Sequence, residues 1–369
     1  MSLYIGLMSG TSMDAIDAVL CDIKPDEVQF INAHAVSIPD ELKSRLEHAC
    51  RPDLSVTDYQ NLAREYAALC AEVTLQLLEN TQISPEAITA VASHGQTLWH
   101  APPKQRNDIG YSIQLNDADW LSARVGIPVI FDFRARDLAL GGQGAPLVPA
   151  FHQFIFADTA QTPIAVLNLG GIANISYLDA QSGTAIGFDT GPANTLLDQW
   201  IERHQGQRFD DHGQWAQQGK VNIELLNRLL NDAFFSISPP KSSGREHFNL
   251  AWLDSFIDEH YRPQDVQRTL VELTAKSVAN SFQWLPKCPD KLIICGGGAF
   301  NSFLLERIAQ CLPDQVTVAD SAEYGVDPQH VEAMAFAWLG WCFDNKKPAN
   351  LPAVTGASQL AVLGKRVNA

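Results

Sequence analysis

Short apolar runs alternate with longer stretches of helical periodicity along the chain, a pattern that predicts an α/β protein. Residues 3–8 and 15–22 read as two strands joined by the polar turn Ser9-Gly10-Thr11-Ser12, and a third strand is predicted over 28–37. Apolar side chains at helical spacing cover 40–50 and 57–80, with Ser55 or Thr57 as the N-cap. A strand over 88–94 runs into Ser93-His94-Gly95-Gln96-Thr97. A strand over 111–115, a helix over 117–125 and a continuously apolar strand over 127–133 follow, the last as a sheet covered on both faces requires.

Residues 138–149 are rich in Gly and Pro and are expected to form a hinge or domain boundary. Beyond them the chain starts again. A strand over 164–169, the turn Gly170-Gly171 and a strand over 173–178 repeat the shape of the opening hairpin. A strand over 184–188 ends in Asp189-Thr190-Gly191-Pro192 and a helix over 194–204. Helices are predicted over 221–231, 249–259 and 264–285, a strand over 291–295 running into Gly296-Gly297-Gly298, and a long helix over 328–343. The tail, 360–368, is expected to close back on the first domain. The expected division is residues 1–137 with 346–369 against residues 138–345, two halves of duplicated architecture with a cleft between.

Composition narrows the function classes. The chain has 369 residues, 46% hydrophobic and 18% charged, which suits a globular protein with ample core. A net charge of −16 argues against nucleic acid as a partner. An anionic ligand would have to be met locally, by backbone N–H groups, Mg²⁺ and a few basic side chains. No apolar run is long enough for a membrane span, and the N-terminus lacks a basic leader pattern. Seven cysteines without a C-x-x-C pair suggest neither a disulfide framework nor a zinc site, and point to a cytoplasmic protein.

Several segments carry chemistry, each with a plainer alternative. Small residues, hydroxyls and backbone N–H groups in 9–12, with Asp14 and Asp17 following, can wrap a phosphate and manage a magnesium ion. There is no G-x-x-x-x-G-K-[ST] and no protein-kinase motif set. Gly296-Gly297-Gly298-Ala299-Phe300-Asn301 approaches a dinucleotide fingerprint but has Asn301 at the third glycine position; such a turn also suits adenosine or phosphate against backbone. Asp189 stands where open α/β sheets bind ligands, as general base or as helix N-cap. His94, Gln96 and Thr97 form a sugar-recognising edge or a turn with a satisfied histidine. Arg134 and Arg136 flank Asp137 as an anion clamp or a surface ion pair. Pro239 to Glu246 is a loop with two positive charges in an acidic chain, and Glu332 is expected to point inward from its helix.

These segments in series resemble the anhydro-N-acetylmuramic acid kinase family. The resemblance is carried by Met8 to Asp14, Ser93 to Thr97, Asp132-Phe133-Arg134, Gly141 to Leu147, Asn168 to Asn174, Gly187 to Pro192, Pro240 to Glu246 and Cys295 to Asn301, in order over nearly the whole chain. It implies the sugar kinase/Hsp70/actin superfold, with two α/β domains around a nucleotide cleft. It also implies ATP-dependent conversion of 1,6-anhydro-N-acetylmuramic acid to N-acetylmuramic acid 6-phosphate, with hydrolytic opening of the anhydro ring, in recycling of cell-wall peptidoglycan.

Carried over by residue, the resemblance assigns ATP binding to Gly10, Thr11, Ser12, Met13, Asp14, Ala15, Ile16 and Asp17, and to Gly170, Gly171, Gly296, Gly297, Gly298 and Asn301. Asp189 and Glu332 are its catalytic positions, and His94, Gln96, Thr97, Arg134 and Asp189 its sugar side. Asp14 is the nearest candidate metal ligand, ATP and Mg²⁺ the cofactors, an amino sugar the substrate; a homodimer is compatible with the sequence. Ala15 and Ala193 stand where many members have glycine, and a positive φ at either would strain the turn by about 1 kcal/mol or more. Two rivals remain at this level: another sugar kinase of the same fold acting on an ordinary hydroxyl, and a nucleotide-dependent chaperone or filament protein.

Overall fold

The computed structural model describes all residues except Met1, Thr11, Pro52, 104–107, 157–161, 245 and 246. The chain divides into two compact units, residues 1–155 with 330–369 and residues 156–329. Both boundaries differ from the expected ones. Residues 148–156, which form a helix not expected from the sequence, and the expected helix now seen as Val331–Asp344 lie in the expected second half, but nearly all of each falls within the first unit.

In the first unit the strands are β1 (Leu3–Met8), β2 (Ala15–Ile23), β3 (Val28–Ser37), β4 (Ile88–Ser93), β5 (Gln96–Ala101), β6 (Tyr111–Leu115) and β7 (Val129–Phe131). The second unit contributes β8 (Ile164–Leu169), β9 (Ile172–Asp179), β10 (Thr184–Pro192), β11 (Lys291–Cys295) and β12 (Thr317–Asp320). The strand β13 (Lys365–Val367) returns to the first unit. The main sheets run β3-β2-β1-β4-β7-β13 and β10-β9-β8-β11-β12. In each, the first three strands form an antiparallel meander and the fourth and fifth join in parallel, beside the first. The echo between the two hairpins is thus a repeat of a whole five-strand order, third-second-first-fourth-fifth. Two α/β units with the same strand order fit the duplicated architecture that the family resemblance implies. β13 adds antiparallel to β7, so the tail closes on the first unit as expected.

The central strands are apolar along their length because helices cover both faces; β8 is buried at every position. The helix Val331–Asp344 is buried from Ala333 through Cys342, hydrophobic all round as a core helix must be. It lies directly on β1, where a Cβ on Gly6 would stand 1.9 Å from the Ala333 carbonyl oxygen. That packing is why the helix belongs to the first unit. The helix Val56–Thr81 is N-capped by Ser55, whose hydroxyl accepts from the Asp58 N–H at 3.1 Å, and it buries Leu62, Tyr66, Cys70, Val73 and Leu77 on one stripe.

Some boundaries depart from the pattern. β7 covers only Val129–Phe131, since Asp132 adopts φ 57° and leaves the strand. The helix expected over 249–259 is limited to Leu250–Asp254, and β5, β12 and the helix Val148–Phe156 are additional. The Gly/Pro stretch 138–149 is not a boundary. It is stapled inside the first unit: Gly142 N–H donates to the Asp137 carbonyl at 3.0 Å, Gln143 N–H to that of Thr355 at 2.7 Å, and Ser358 N–H to that of Leu140 at 2.9 Å. No described helix is long and apolar enough to cross a membrane.

Candidate functional site

In the first unit, the turn after β1 is built on buried side chains. The Ser9 hydroxyl donates to Gln96 Oε1 at 2.7 Å and lies 2.8 Å from the Tyr66 hydroxyl. Gln96 Nε2 reaches the Gly10 carbonyl at 3.4 Å, and Met13 N–H closes the turn on that same oxygen at 3.2 Å. Gln96 is fully buried, so it supports the turn and does not face a ligand. Met13 takes the left-handed conformation, φ 53°, while its side chain joins the core with Ile16. Of the expected nucleotide residues, Met13 and Ile16 could therefore offer only backbone. Thr11 lies outside the described residues. Ala15 opens β2, paired with Ser37, and the strained position in this turn is Met13.

The two carboxylates of the turn differ. Asp14 is half exposed and its Oδ1 is 2.6 Å from Lys43 Nζ. Asp17 is half-buried; desolvation raises its pKa, and nearby His330 pulls the other way. His330, stacked on Phe30 at 5.5 Å, precedes the helix that carries Glu332. Glu332 is half-buried in the first turn, between buried Val331 and Ala333, so its inward bias is partial.

His94 lies behind Arg134. Its Nε2 is 2.9 Å from Arg134 Nη2, its ring packs on Phe336 at 4.6 Å, and it is only 4% exposed. Burial, then the Arg134 charge, hold its pKa well below 6.5. Arg134 Nη1 donates to the Gly144 carbonyl at 2.8 Å, so both branches of the guanidinium are fixed. Thr97, half-buried, donates to Gln114 Oε1 at 2.7 Å. Within this unit, Arg134 and Thr97 are the partly accessible members of the expected sugar side. Asp137 is no surface ion-pair partner. It is fully buried and accepts from Gly144 N–H at 2.8 Å, Asn350 Nδ2 at 2.9 Å and Thr355 Oγ1 at 2.8 Å.

In the second unit, β10 runs through Asp189 to Pro192, four residues past the expected end. Its pairing with β9 shifts between Asp189, opposite Asn174, and Gly191, opposite Ala173. This bulge re-aims the side chains beside it, and Gly191, at φ 153°, has no room for a Cβ, which would meet Phe235 at 2.8 Å. Asp189 is no N-cap: the cap of the helix Asn194–Gln205 is Ala193, at φ −127°, so the alanine there is not strained by a positive φ. The Asp189 backbone N–H donates to the Lys241 carbonyl at 3.1 Å, and Ser243 N–H donates to Asp189 Oδ2 at 2.8 Å. The loop 239–244 thus closes over Asp189; Arg245 and Glu246 lie outside the described residues.

The two glycine turns of this unit meet at the end of β8. Asn194 and Ala193 donate their N–H groups to the Gly170 and Gly171 carbonyls at 3.1 and 3.0 Å. Gly296, at φ +83°, and Gly298 are packed against Asn168 and Leu169, where a Cβ would come within 2.3 and 2.6 Å of side-chain atoms. A Cβ on Gly170, on Gly297 or on Gly10 in the other unit would meet only ordinary van der Waals neighbours, at 3.6, 3.9 and 3.7 Å, so these turns are not crowded by the protein itself. Asn301 is the N-cap of the helix Ser302–Cys311, its Oδ1 accepting from Leu304 N–H at 3.0 Å, a structural duty. Lys241 escaped sequence reasoning as a site residue; a lysine in a Pro/Ser/Gly loop carries no local sign of being only 8% exposed.

A model of the anhydro-N-acetylmuramic acid kinase family matches residues 2–369. The chain is 49% identical to the anhydro-N-acetylmuramic acid kinase of Idiomarina loihiensis over 369 residues, covering 99% of this chain and 98% of the relative. It is 46% identical to that of Shewanella baltica over the same span and coverage. Among solved structures it is similar to the activator of the 2-hydroxyisocaproyl-CoA dehydratase from Clostridium difficile with bound ADPNP, at a TM-score of 0.47 and 14% identity, covering 93% of this chain and 95% of that one.

Proposed function

Since the chain belongs to the anhydro-N-acetylmuramic acid kinase family, we propose that it uses ATP to convert 1,6-anhydro-N-acetylmuramic acid to N-acetylmuramic acid 6-phosphate, in the cytoplasm, as a step of peptidoglycan recycling. The observation that carries the chemistry is Asp189, on a strand bulge with one carboxylate oxygen held by the Ser243 N–H. A carboxylate so oriented can take a proton from water. The water oxygen bonds to the anomeric carbon, the bond from that carbon to O6 breaks, and O6 bonds to the γ-phosphorus as ADP leaves. Phosphoryl transfer asks the protein for positioning and charge neutralisation more than covalent chemistry. Arg134, fixed at both branches, and Thr97 are the groups we assign to the sugar. The uncrowded backbone at Gly10, Gly170 and Gly297 is assigned to the nucleotide.

Magnesium would arrive with the phosphates and neutralise their charge. Such an ion needs only one or two protein carboxylates, because water and phosphate complete its octahedron. Asp17 fits that part better than Asp14, whose carboxylate is held by Lys43.

Turnover in ¹⁸O-labelled water, with rapid reduction of the product, tests the reading. The expected product is a 6-phosphate with label on the anomeric oxygen and one ADP per sugar. A phosphorylated product with an intact anhydro ring, or turnover of ordinary amino sugars with none of the anhydro sugar, would overturn it.

A further inference from the structure

Lys241 is a buried cation that the reaction as drawn does not use. It is 8% exposed, and its Nζ donates to the Phe234 carbonyl at 3.2 Å and sits 4.5 Å from the centre of the Phe234 ring. Burying an ammonium on one carbonyl and one ring is costly unless a charge offsets it. The carboxylate whose charge acts on it is Asp189, which opposes the fall in the lysine pKa that burial causes. The same residue's backbone carbonyl receives the Asp189 N–H at 3.1 Å, and two residues on Ser243 N–H holds Asp189 Oδ2 at 2.8 Å.

The mooring point is itself braced. Asp232 caps the short helix Ala233–Ser236 by accepting from Phe234 N–H at 2.9 Å, accepts from Trp252 Nε1 at 3.0 Å and lies 3.2 Å from His247 Nε2. His247 stacks on Phe248 at 4.2 Å. A rigid aromatic block thus fixes Phe234, Phe234 fixes the ammonium, and the ammonium fixes the strip of backbone that orients Asp189.

We propose that Lys241 is a positioning residue for Asp189: moored to Phe234, it holds the Lys241–Ser243 backbone that binds Asp189 at its N–H and at its carboxylate. The proposal rests on the reading of Asp189 as the group that takes the proton from water. A lysine with only a structural duty would cost stability when removed, by leaving its buried partner charge uncompensated, but would lower kcat alike whether or not residue 189 is a carboxylate.

The test is a double-mutant cycle in the full-length chain with the anhydro sugar, ATP and Mg²⁺. Lys241→Met alone is expected to lower kcat by about 10- to 100-fold, as a small misplacement of a reacting group does, with both KM values held within about threefold. In an Asp189→Asn background the same substitution is expected to change kcat by less than about threefold, because the two residues act as one unit. Lys241→Arg keeps the charge and is expected to retain more kcat than Lys241→Met. Equal fold losses in both backgrounds, a wild-type kcat in Lys241→Met, a change confined to KM for ATP, or an Arg variant worse than the Met variant would each overturn the proposal. Asp189→Asn at the wild-type rate would instead refute the role given to Asp189.

Discussion

Arg134 Nη2 lies 2.9 Å from His94 Nε2. A guanidinium can only donate, so His94 must accept through Nε2 and carry its proton on Nδ1. Burial and the arginine charge both disfavour the imidazolium. His94 is therefore expected to be a neutral Nδ1–H tautomer at neutral pH, with any titration of its ring NMR signals lying well below pH 6.5. A titration midpoint near 6.5 would contradict the geometry. Arg134→Lys keeps charge but loses the fork that grips both His94 and Gly144, and is expected to lower kcat/KM for the sugar about 10- to 100-fold.

Asp189→Asn keeps size and the bond from Ser243 N–H but cannot take a proton. We expect kcat to fall by about 10²- to 10⁴-fold. ATP affinity, measured by calorimetry, should stay within about twofold, since the carboxylate is assigned to water and not to phosphate. Retained turnover would remove Asp189 from the chemistry.

Two neighbouring glycines should respond in opposite ways. Gly296→Ala forces a side chain into φ +83° and against Asn168, and is expected to destabilise the fold by more than about 1 kcal/mol. Gly297→Ala meets only Asn194 Nδ2 at 3.9 Å, and its stability should stay within about 0.5 kcal/mol. If nucleotide lies on that backbone, Gly297→Ala raises KM for ATP without lowering the urea midpoint. An unchanged KM would move the nucleotide elsewhere.

Asp137→Ala removes a buried carboxylate and the bonds it accepts from Gly144 N–H, Asn350 Nδ2 and Thr355 Oγ1. A cost of about 3–5 kcal/mol is expected in equilibrium denaturation. A loss below about 1 kcal/mol would mean that these bonds do not brace the 138–149 segment.

Stability should fall on mild acidification. Burial pushes the pKa of His152 down to about 3, and burial with Arg134 pushes that of His100 to about 4. The unfolded chain takes up these protons below about pH 6.5 while the folded chain does not, so stability rises with pH in this window and is lost as pH drops. The slope is about 1.4 kcal/mol per pH unit for each such histidine. It applies between pH 6.5 and about 4 for His100 and down to about 3 for His152. Asp17, with a raised pKa, acts in the opposite sense, but only near the carboxylate range. Urea midpoints that do not change between pH 7 and 5 would contradict neutral burial of these rings.

Much of the architecture was legible because it is local. Strand alternation, the Ser55 cap, the two hairpin turns and the order of the motifs each live within a few residues, and together they point to a duplicated α/β chain and its family. Windows of that size also misled. The Gly/Pro run 138–149 reads as a hinge, yet Asp137 binds it to Asn350 and Thr355, 213 and 218 residues away. Turn residues after Phe188 read as the end of a strand, yet β9 carries β10 on to Pro192 through a bulge.

The site divides the same way. Candidates for the site could be named from the sequence, since small side chains, hydroxyls and carboxylates next to strand ends are a local signature, though Lys241 carried none. What each one does there was decided by the folded chain. Gln96 is spent on Ser9, Asn301 on a helix cap, and Asp14 on Lys43, while Asp189 is gripped by a loop that begins 50 residues later. Room around a glycine, the tautomer of His94 and the burial of Lys241 all depend on atoms distant in sequence, and hydrogen bonds and desolvation are set by proximity in space.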